Sequence, residues 1–559
     1  MNPTETFRAA RDTLLELRTD ADAAAAAFRW PDVGPHFNWA VDWFDAIAIG
    51  NERLALWIVE EDGSETMVTY DRMRARSDEV AAWLSSTGVS QGDHVMLMLG
   101  NRVELWESML AIMKLGAVIL PTTTLLSGSD LADRLDRGQV SHVIADAADV
   151  PKFDGIDGDF GRIAVGGAPE GWLDYDESLE GIGVSPTVTV RTSDPCLIYF
   201  TSGTTSKPKM VVHSQFSYPV GHLSTLYWLG VQPGDVHLAI SSPGWGKHAW
   251  SCFFAPWNAE ATVFVYNYSR FDPAALRARL DEAEVTTFCA PPTVWRMLIQ
   301  SDLGARPRAL REILSAGEPL NPGVIAAVER AWGLTIRDGY GQTETTAIIA
   351  NTPGRAIVPG AMGRPLPGVA ISIVDPLTGE ASSTGEICLD LSTEPANLMS
   401  GYLGDDARTE SARSGGYFHT GDVAELAEDG TITFVGRTDD IFKSSDFKIS
   451  PFEVESVLLQ HPAVAESAVV PAPDETRHSI VKAYVALAEG WAPDASTAAA
   501  IFDHARAELS AYERVRRIEF FELPKTISGK IRRIELRERE EAAFARGEAI
   551  ATEWRSDQL

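Results

Sequence analysis

From Thr69 to Leu120 the chain alternates helix, strand, helix and strand, and that rhythm leaves few folds open. Thr69-Tyr-Asp-Arg-Met-Arg opens a helix that continues through Val80, Ala81, Trp83 and Leu84. Gly92-Asp93 reads as a turn and His94–Leu99 as a short apolar strand. Residues 102–115 predict an amphipathic helix with Leu105, Met109, Ile112 and Met113 on one face, and Ala117–Leu120 predicts the next strand. Strand, helix and strand at this spacing form a crossover unit, which implies a parallel sheet. The rhythm recurs in strand 196–200, helix about 215–229, strand 237–241, strand 262–266, helix 273–283, strand 285–289 and helix 292–300. Together these predict an α/β fold with a large, layered N-terminal domain.

The texture changes near Ala361. Gly and Pro become frequent, and the runs Ala370–Val374, Gly385–Leu389 and Thr431–Val435 are short and alternating. They predict strands of a small β-barrel-like subdomain over about 361–437. Beyond Gly436-Arg437 a new unit begins, with helix 452–460, strands 465–471 and 480–487, helix about 497–510, strand 516–521 and a charged helical segment 531–548. The expected division is therefore a large domain over 1–437 and a small α+β domain over 438–559.

Charge and cysteine content exclude several functions. With 48 basic and 79 acidic residues the net charge is −31, which disfavours non-specific binding to nucleic acid or an anionic membrane. An anionic ligand must find a local positive site. Cys196, Cys252, Cys289 and Cys388 lie far apart without C-x-x-C spacing, so buried free thiols are expected. No basic leader precedes an apolar stretch, and no apolar run approaches the ~18 residues of a membrane span. The expectation is a cytoplasmic protein.

Such a local positive site is visible after the apolar strand Cys196–Phe200. There Thr201, Ser202, Gly203, Thr204, Thr205, Lys207 and Lys209 form a loop of hydroxyls, one glycine and two cations. Backbone N–H groups and hydroxyls can cradle a polyphosphate, and Lys207 or Lys209 adds charge. The spacing is not that of a Walker A loop. Further on, Ser315-Ala-Gly-Glu-Pro319 turns sharply. Asp338-Gly-Tyr-Gly-Gln-Thr-Glu344 sets Tyr340 between glycines that let backbone approach a flat ligand. Glu344 suits Mg²⁺, which prefers oxygen ligands. Asp422, in Thr420-Gly-Asp422, suits two ribose hydroxyls, and Pro524-Lys-Thr-Ile-Ser-Gly-Lys530 presents a lysine on a loop. Each feature taken alone also fits an ordinary turn, a helix cap or a solvated lysine.

In this order the motifs resemble the adenylate-forming superfamily of acyl-CoA synthetases, peptide-synthetase adenylation domains and firefly luciferase. The likeness runs from about residue 30 to 545. Within the superfamily it is nearest to medium-chain and aryl acyl-CoA synthetases, through Gly244–Trp250, Ala290–Met297, Ser315–Pro319 and Ile449–Glu455.

The resemblance implies two half-reactions. A carboxylic acid and ATP give an acyl-adenylate and pyrophosphate, and the thiol of coenzyme A then displaces AMP. It implies that Thr201, Ser202, Gly203, Thr204, Thr205 and Lys209 hold the β- and γ-phosphates. Glu344 would hold Mg²⁺ and Thr343 would touch the α-phosphate. Gly317, Glu318, Pro319, Asp338, Gly339 and Tyr340 would line the adenine site, and Asp422 with Arg437 the ribose site. Lys530 would serve adenylation from a mobile C-terminal domain that turns about Asp439. Lys443, Ser444, Ser445 and Lys448 would border the pantetheine channel.

Two positions depart from the family pattern: Ser206 and Asp446 each replace a common glycine. Gly341 stands where acetyl-CoA synthetases carry tryptophan, which implies room for an acid longer than acetate, with Trp245, Gly246, Lys247, His248 and Trp250 as pocket walls. Loading of a carrier-protein thiol, a luciferase-like oxidation and a nucleotide-binding pseudo-enzyme are the alternatives. Monomer and homodimer are both open.

Overall fold

The computed structural model describes residues 2–559 except 181–184, 202–206, 377, 445–446, 475–477, 527–529, 549 and 551. The chain packs into two units. The first comprises Met1–Ile371, Leu389–Phe418 and Gly430–Ile432, and the second Ser372–Cys388, His419–Asp429 and Thr433–Leu559. This division differs from a single cut at residue 437, because the four strands of the β-rich stretch fall mainly in the second unit while the segments between them belong partly to the first.

The first unit is built on two large sheets. One has nine strands, with Arg337–Gln342, Glu312–Ala316, Thr287–Ala290, Val236–Ala239, Thr262–Tyr266 and Leu54–Val59 as successive neighbours. These six pair in parallel. The other has eight strands, with a parallel core that includes Val118–Pro121, His94–Met98 and His142–Asp146. Helices that cover both faces of a parallel sheet leave its strands dry, which is why Val118–Pro121 and Thr287–Ala290 are buried at every position. Pro195–Thr201 joins this sheet and pairs antiparallel with Lys209–Ser214, placing Thr201 opposite Lys209.

Most expected elements form within a few residues of their predicted bounds. Thr69 caps the helix Tyr70–Ser86, its Oγ1 accepting from Arg72 N at 3.2 Å. The helix expected over 215–229 is shorter, His222–Leu229, because Ser214 and Ser217 close a hydrogen-bonded turn ahead of it. The helix Val103–Lys114 is buried all round rather than amphipathic. It lies between its sheet, the Tyr70–Ser86 helix and the Trp39–Asp45 segment. Its buried charged residues are paired: Lys114 with Asp45 and Asp78 at 2.8 and 2.7 Å, and Glu107 with Arg76 at 3.2 Å.

The β-rich stretch supplies Ile371–Val374, Thr384–Asp390, Tyr417–Leu426 and Ile432–Arg437, which line up in chain order as one four-stranded sheet. The rest of the second unit is α+β. Val464–Asp474 and His478–Leu487 form an antiparallel hairpin, Arg517–Phe520 adds in parallel, and Glu553–Arg555 closes the sheet antiparallel. Val469, Val481, Val485 and Ile518 pack there against Val454, Leu458, Ile501 and Phe502 of two helices. No helix among the described residues is long and apolar enough to cross a membrane.

Candidate active site

In the first unit the chemistry converges on the end of the Arg337–Gln342 strand. Gln342 and Thr345 exchange hydrogen bonds of 3.1 Å across a tight turn, which projects Glu344 from the sheet. Lys209 Nζ reaches Glu344 Oε1 at 3.1 Å, and the Tyr402 hydroxyl donates to the same oxygen at 3.0 Å. Lys209 also lies 5.1 Å from the centre of the Tyr402 ring. Burial opposes ionisation of Glu344, but the Lys209 charge and the hydrogen bonds outweigh it and hold the carboxyl below its usual range. A cavity of about 380 Å³ opens beside Lys209 and Tyr402, with Arg137, Lys207 and Arg408 also on its wall. Ser202–Ser206, the centre of the expected phosphate loop, lie outside the described residues.

The backbone behind Glu344 is strained and braced. Thr346, a β-branched residue, holds φ +81°, a conformation that persists only where the surroundings enforce it. Its hydroxyl lies 3.1 Å from Ser224 Oγ and accepts from Asn397 Nδ2 at 3.2 Å. The Thr343 carbonyl accepts from His213 Nε2 at 2.7 Å, and Ser217 Oγ lies 3.0 Å from the other ring nitrogen. Burial holds His213 at a pKa of about 4, so it is a neutral donor here.

The expected adenine residues sit on neighbouring strands, with Ser315 opposite Asp338 and Ala316 opposite Gly339. Gly339 is glycine for a packing reason: a Cβ there would lie 2.3 Å from the Trp228 ring. Gly317 holds φ +105° with nothing within 4 Å of an added Cβ, so it opens onto free space. Glu318 pairs loosely with Arg296 at 3.8 Å. Asp338 is buried, and burial pushes its carboxyl up to about 8.

The expected acyl residues follow Gly244. A Cβ on Gly246 would come within 3.2 Å of the Tyr218 hydroxyl and 3.3 Å of Thr343 Oγ1, so this segment abuts the Thr343–Glu344 turn. Lys247 is partly buried and donates to the Ala316 carbonyl at 3.2 Å. Trp245 is half-buried, whereas His248 and Trp250 are buried. His248 Nε2 lies 3.2 Å from Asn101 Oδ1, and Trp250 Nε1 donates to the Tyr218 hydroxyl at 2.9 Å. Gly341 is crowded on the side to which a Cβ would point. A Cβ at that position would meet the Thr346 carbonyl at 1.9 Å and the Trp250 ring at 2.8 Å. The glycine answers to backbone crowding, and Trp250 fills the space.

In the second unit two motifs lock together. Thr438 N donates to the Gly421 carbonyl at 2.9 Å, and Arg437 reaches Asp422 Oδ1 at 3.5 Å and Asp439 Oδ1 at 3.0 Å. Arg537 donates to the Asp439 carbonyl at 2.7 Å and to Asp440 at 3.1 Å. Lys530 is exposed, with its backbone N–H on Thr526 Oγ1 at 3.1 Å. Lys443 and Lys448 are exposed and directly opposite each other in a hairpin, an arrangement of like charges that suits an anionic ligand. Ser444 is buried and donates to the Ser479 carbonyl at 3.0 Å, while Ser445 and Asp446 lie outside the described residues.

Tyr402, Thr346 and His213 have no place in the reading from motifs. His213 lies on the strand Lys209–Ser214 that leaves the phosphate loop, and the pair Gly401-Tyr402 carries no chemistry until Glu344 is beside it.

Comparison with known proteins identifies the family. The AMP-binding enzyme family matches residues 45–403, and the AMP-binding enzyme C-terminal domain matches residues 453–530. A 4-hydroxybutyrate–CoA ligase of Metallosphaera sedula is 40% identical over 529 residues, 93% of each chain. A mitochondrial acyl-coenzyme A synthetase of Mus musculus is 35% identical over 91% of each. Among solved structures, an anthranilate CoA ligase in complex with anthranoyl-AMP has a TM-score of 0.83 at 27% identity, covering 92% of this chain and 99% of that one. A benzoate CoA ligase from Burkholderia xenovorans has a TM-score of 0.76 at 27% identity, covering 90% of this chain and all of its own. The chain belongs to the AMP-binding enzyme family, and it is an AMP-forming acid–thiol ligase.

Proposed function

We propose that the protein joins a medium-length or aromatic carboxylic acid to coenzyme A through an acyl-adenylate, with the roles that follow. The observation that carries this reading is the trio Lys209, Glu344 and Tyr402, an anchored cation and carboxylate beside a basic cavity. Lys209 binds the outer phosphates together with the loop Thr201–Thr205. Glu344 fits Mg²⁺, because it is a buried oxygen donor held in its ionised form beside Lys209. When bound, the ion neutralises charge on the phosphates.

Gly317, Asp338, Gly339 and Tyr340 receive the adenine, and Asp422 with Arg437 the ribose. The tight approach of Gly246 to Thr343 brings the acid's carboxylate to the α-phosphate. Lys530 donates to the transferring group during adenylation. The domain over 438–559 then turns about Asp439, withdraws Lys530 and presents Lys443, Ser444 and Lys448 to coenzyme A. Trp250 and His248 close the acyl site in place of the tryptophan absent at 341. The relatives named for 4-hydroxybutyrate, anthranilate and benzoate support an acid larger than acetate.

The test is pyrophosphate release across a panel of acids from acetate to dodecanoate with aryl acids, run with and without coenzyme A. Release that depends on a medium-length or aromatic acid, with acyl-CoA formed on adding the thiol, is expected. A preference for acetate, or no acyl-CoA, overturns the assignment.

A further inference from the structure

A second constellation lies outside the nucleotide chemistry, within the second unit. Glu386 and Cys388 are two residues apart on the Thr384–Asp390 strand and so face the same side of the sheet. His419 lies on the neighbouring strand Tyr417–Leu426. Their donor atoms converge: His419 Nδ1 is 2.8 Å from Glu386 Oε2 and 3.5 Å from Cys388 Sγ, and all three atoms lie within 4.8 Å of one another. Cys388 and Glu386 are buried, while His419 keeps 29% of its side chain exposed and gives a way in from solvent.

Hydrogen bonding does not need this arrangement. The ring nitrogen can carry one proton, and the carboxylate at 2.8 Å takes it, yet the sulfur faces the same nitrogen. One ion in place of that proton would serve all three groups. Bond lengths of about 2.0–2.3 Å at a tetrahedral ion set donor atoms roughly 3.3–3.6 Å apart; the Sγ···Nδ1 distance of 3.5 Å falls within that range, and the Nδ1···Oε2 distance of 2.8 Å opens by about 0.5 Å when the ion replaces the proton.

We propose that Glu386, Cys388 and His419 form a binding site for a soft divalent cation of the Zn²⁺ type, with solvent as the fourth ligand. Binding releases the thiol proton, and the imidazole proton moves to Nε2. A thiolate, a carboxylate and a dipositive ion then sum to zero charge, which suits a largely buried position. A sulfur and an imidazole select Zn²⁺ or Co²⁺ over Mg²⁺. The site borders the nucleotide machinery. Glu386 Oε1, the oxygen not used for the ion, accepts the Gly421 N–H at 2.7 Å, one residue before Asp422. Occupancy therefore braces the turn that carries Asp422.

Titration of the full-length protein with Co²⁺ tests this. One equivalent is expected to give a thiolate-to-cobalt charge-transfer band in the near ultraviolet, bleached by Zn²⁺ and untouched by excess Mg²⁺. Cys388→Ser should abolish the band, and His419→Gln should weaken binding by about ten-fold or more. Zn²⁺ should raise the unfolding temperature of the wild type and leave that of Cys388→Ser unchanged. Acid-dependent pyrophosphate release should persist in Cys388→Ser, showing that the variant is folded. A band that survives in Cys388→Ser places the thiol elsewhere and overturns the proposal, as does a folded, active wild type that binds no Co²⁺.

Discussion

Lys209 Nζ sits 3.1 Å from Glu344 Oε1, so the cation proposed to hold the triphosphate is engaged by the carboxylate proposed to hold the divalent ion. On that proposal, ATP draws Lys209 away from the carboxylate. Glu344→Gln is therefore expected to bind ATP more tightly than the wild type when Mg²⁺ is absent. Adenylation by the same variant should fall by about 10²–10³-fold, the usual cost of losing a charge-stabilising group at a phosphoryl centre. Calorimetry without Mg²⁺ and pyrophosphate release with it separate the two effects. Equal or weaker ATP binding in the variant would refute the competition.

Trp250 occupies the space beside Gly341, and in the proposed function it sets the depth of the acyl site. Replacing it with Leu or Ala should move the preferred acid toward longer chains. Each further buried methylene is worth about 0.8 kcal/mol, close to four-fold in kcat/KM. Rates across linear acids in the variants check this, and an unchanged chain-length profile would exclude Trp250 from the site.

The fold was legible because its periodicities are strong. The strands at 94–98 and 118–121 and the helix between them follow from apolar runs and a turn at Gly92. The motifs were legible because their residue types carry chemistry at fixed spacing. What escaped depends on pairing between distant residues. Nothing near residue 341 shows that its neighbour is the Thr346 carbonyl, and nothing near Tyr402 shows that it meets Glu344. The helix Val103–Lys114 looks amphipathic because Glu107 and Lys114 are charged, and only their remote partners Arg76, Asp45 and Asp78 explain their burial. Glu553–Arg555 was missed as a strand because it is three residues long and mostly charged. Its Glu553 is buried on Lys482.

That lysine anchors the C-terminal core. Lys482 Nζ lies 2.9, 2.6 and 3.0 Å from Glu519, Glu540 and Glu553, all nearly inaccessible to solvent. Lys482→Met would leave buried carboxylates without their shared cation, at a cost of about 3–5 kcal/mol. A marked fall in the unfolding temperature is expected, together with faster hydrogen exchange along Arg517–Phe520. Unchanged stability would show that Arg517, Arg539 and Arg555, which also pair with Glu519 and Glu553, hold the cluster unaided.

Asp338 gives the chain a defined pH dependence. Its carboxyl titrates near 3.8 when unfolded and is pushed up to about 8 by burial in the folded protein. Between those values the unfolded chain has lost its proton while the folded chain keeps it, so this group lowers stability as pH rises from about 4 to 8. Asp338→Asn removes the effect. The unfolding temperature of the variant relative to wild type should therefore climb across that window and level off above it. A difference that stays flat with pH would place the carboxylate in a better-solvated setting.

The two-step account rests most directly on Lys530, exposed on the second unit and assigned to the first half-reaction alone. The decisive measurement is Lys530→Ala assayed separately for acyl-adenylate formation from acid and ATP, and for acyl-CoA formation from supplied acyl-adenylate and coenzyme A. The account predicts that adenylation falls by at least ~10²-fold while thioester formation largely survives. Equal loss of both half-reactions would contradict it.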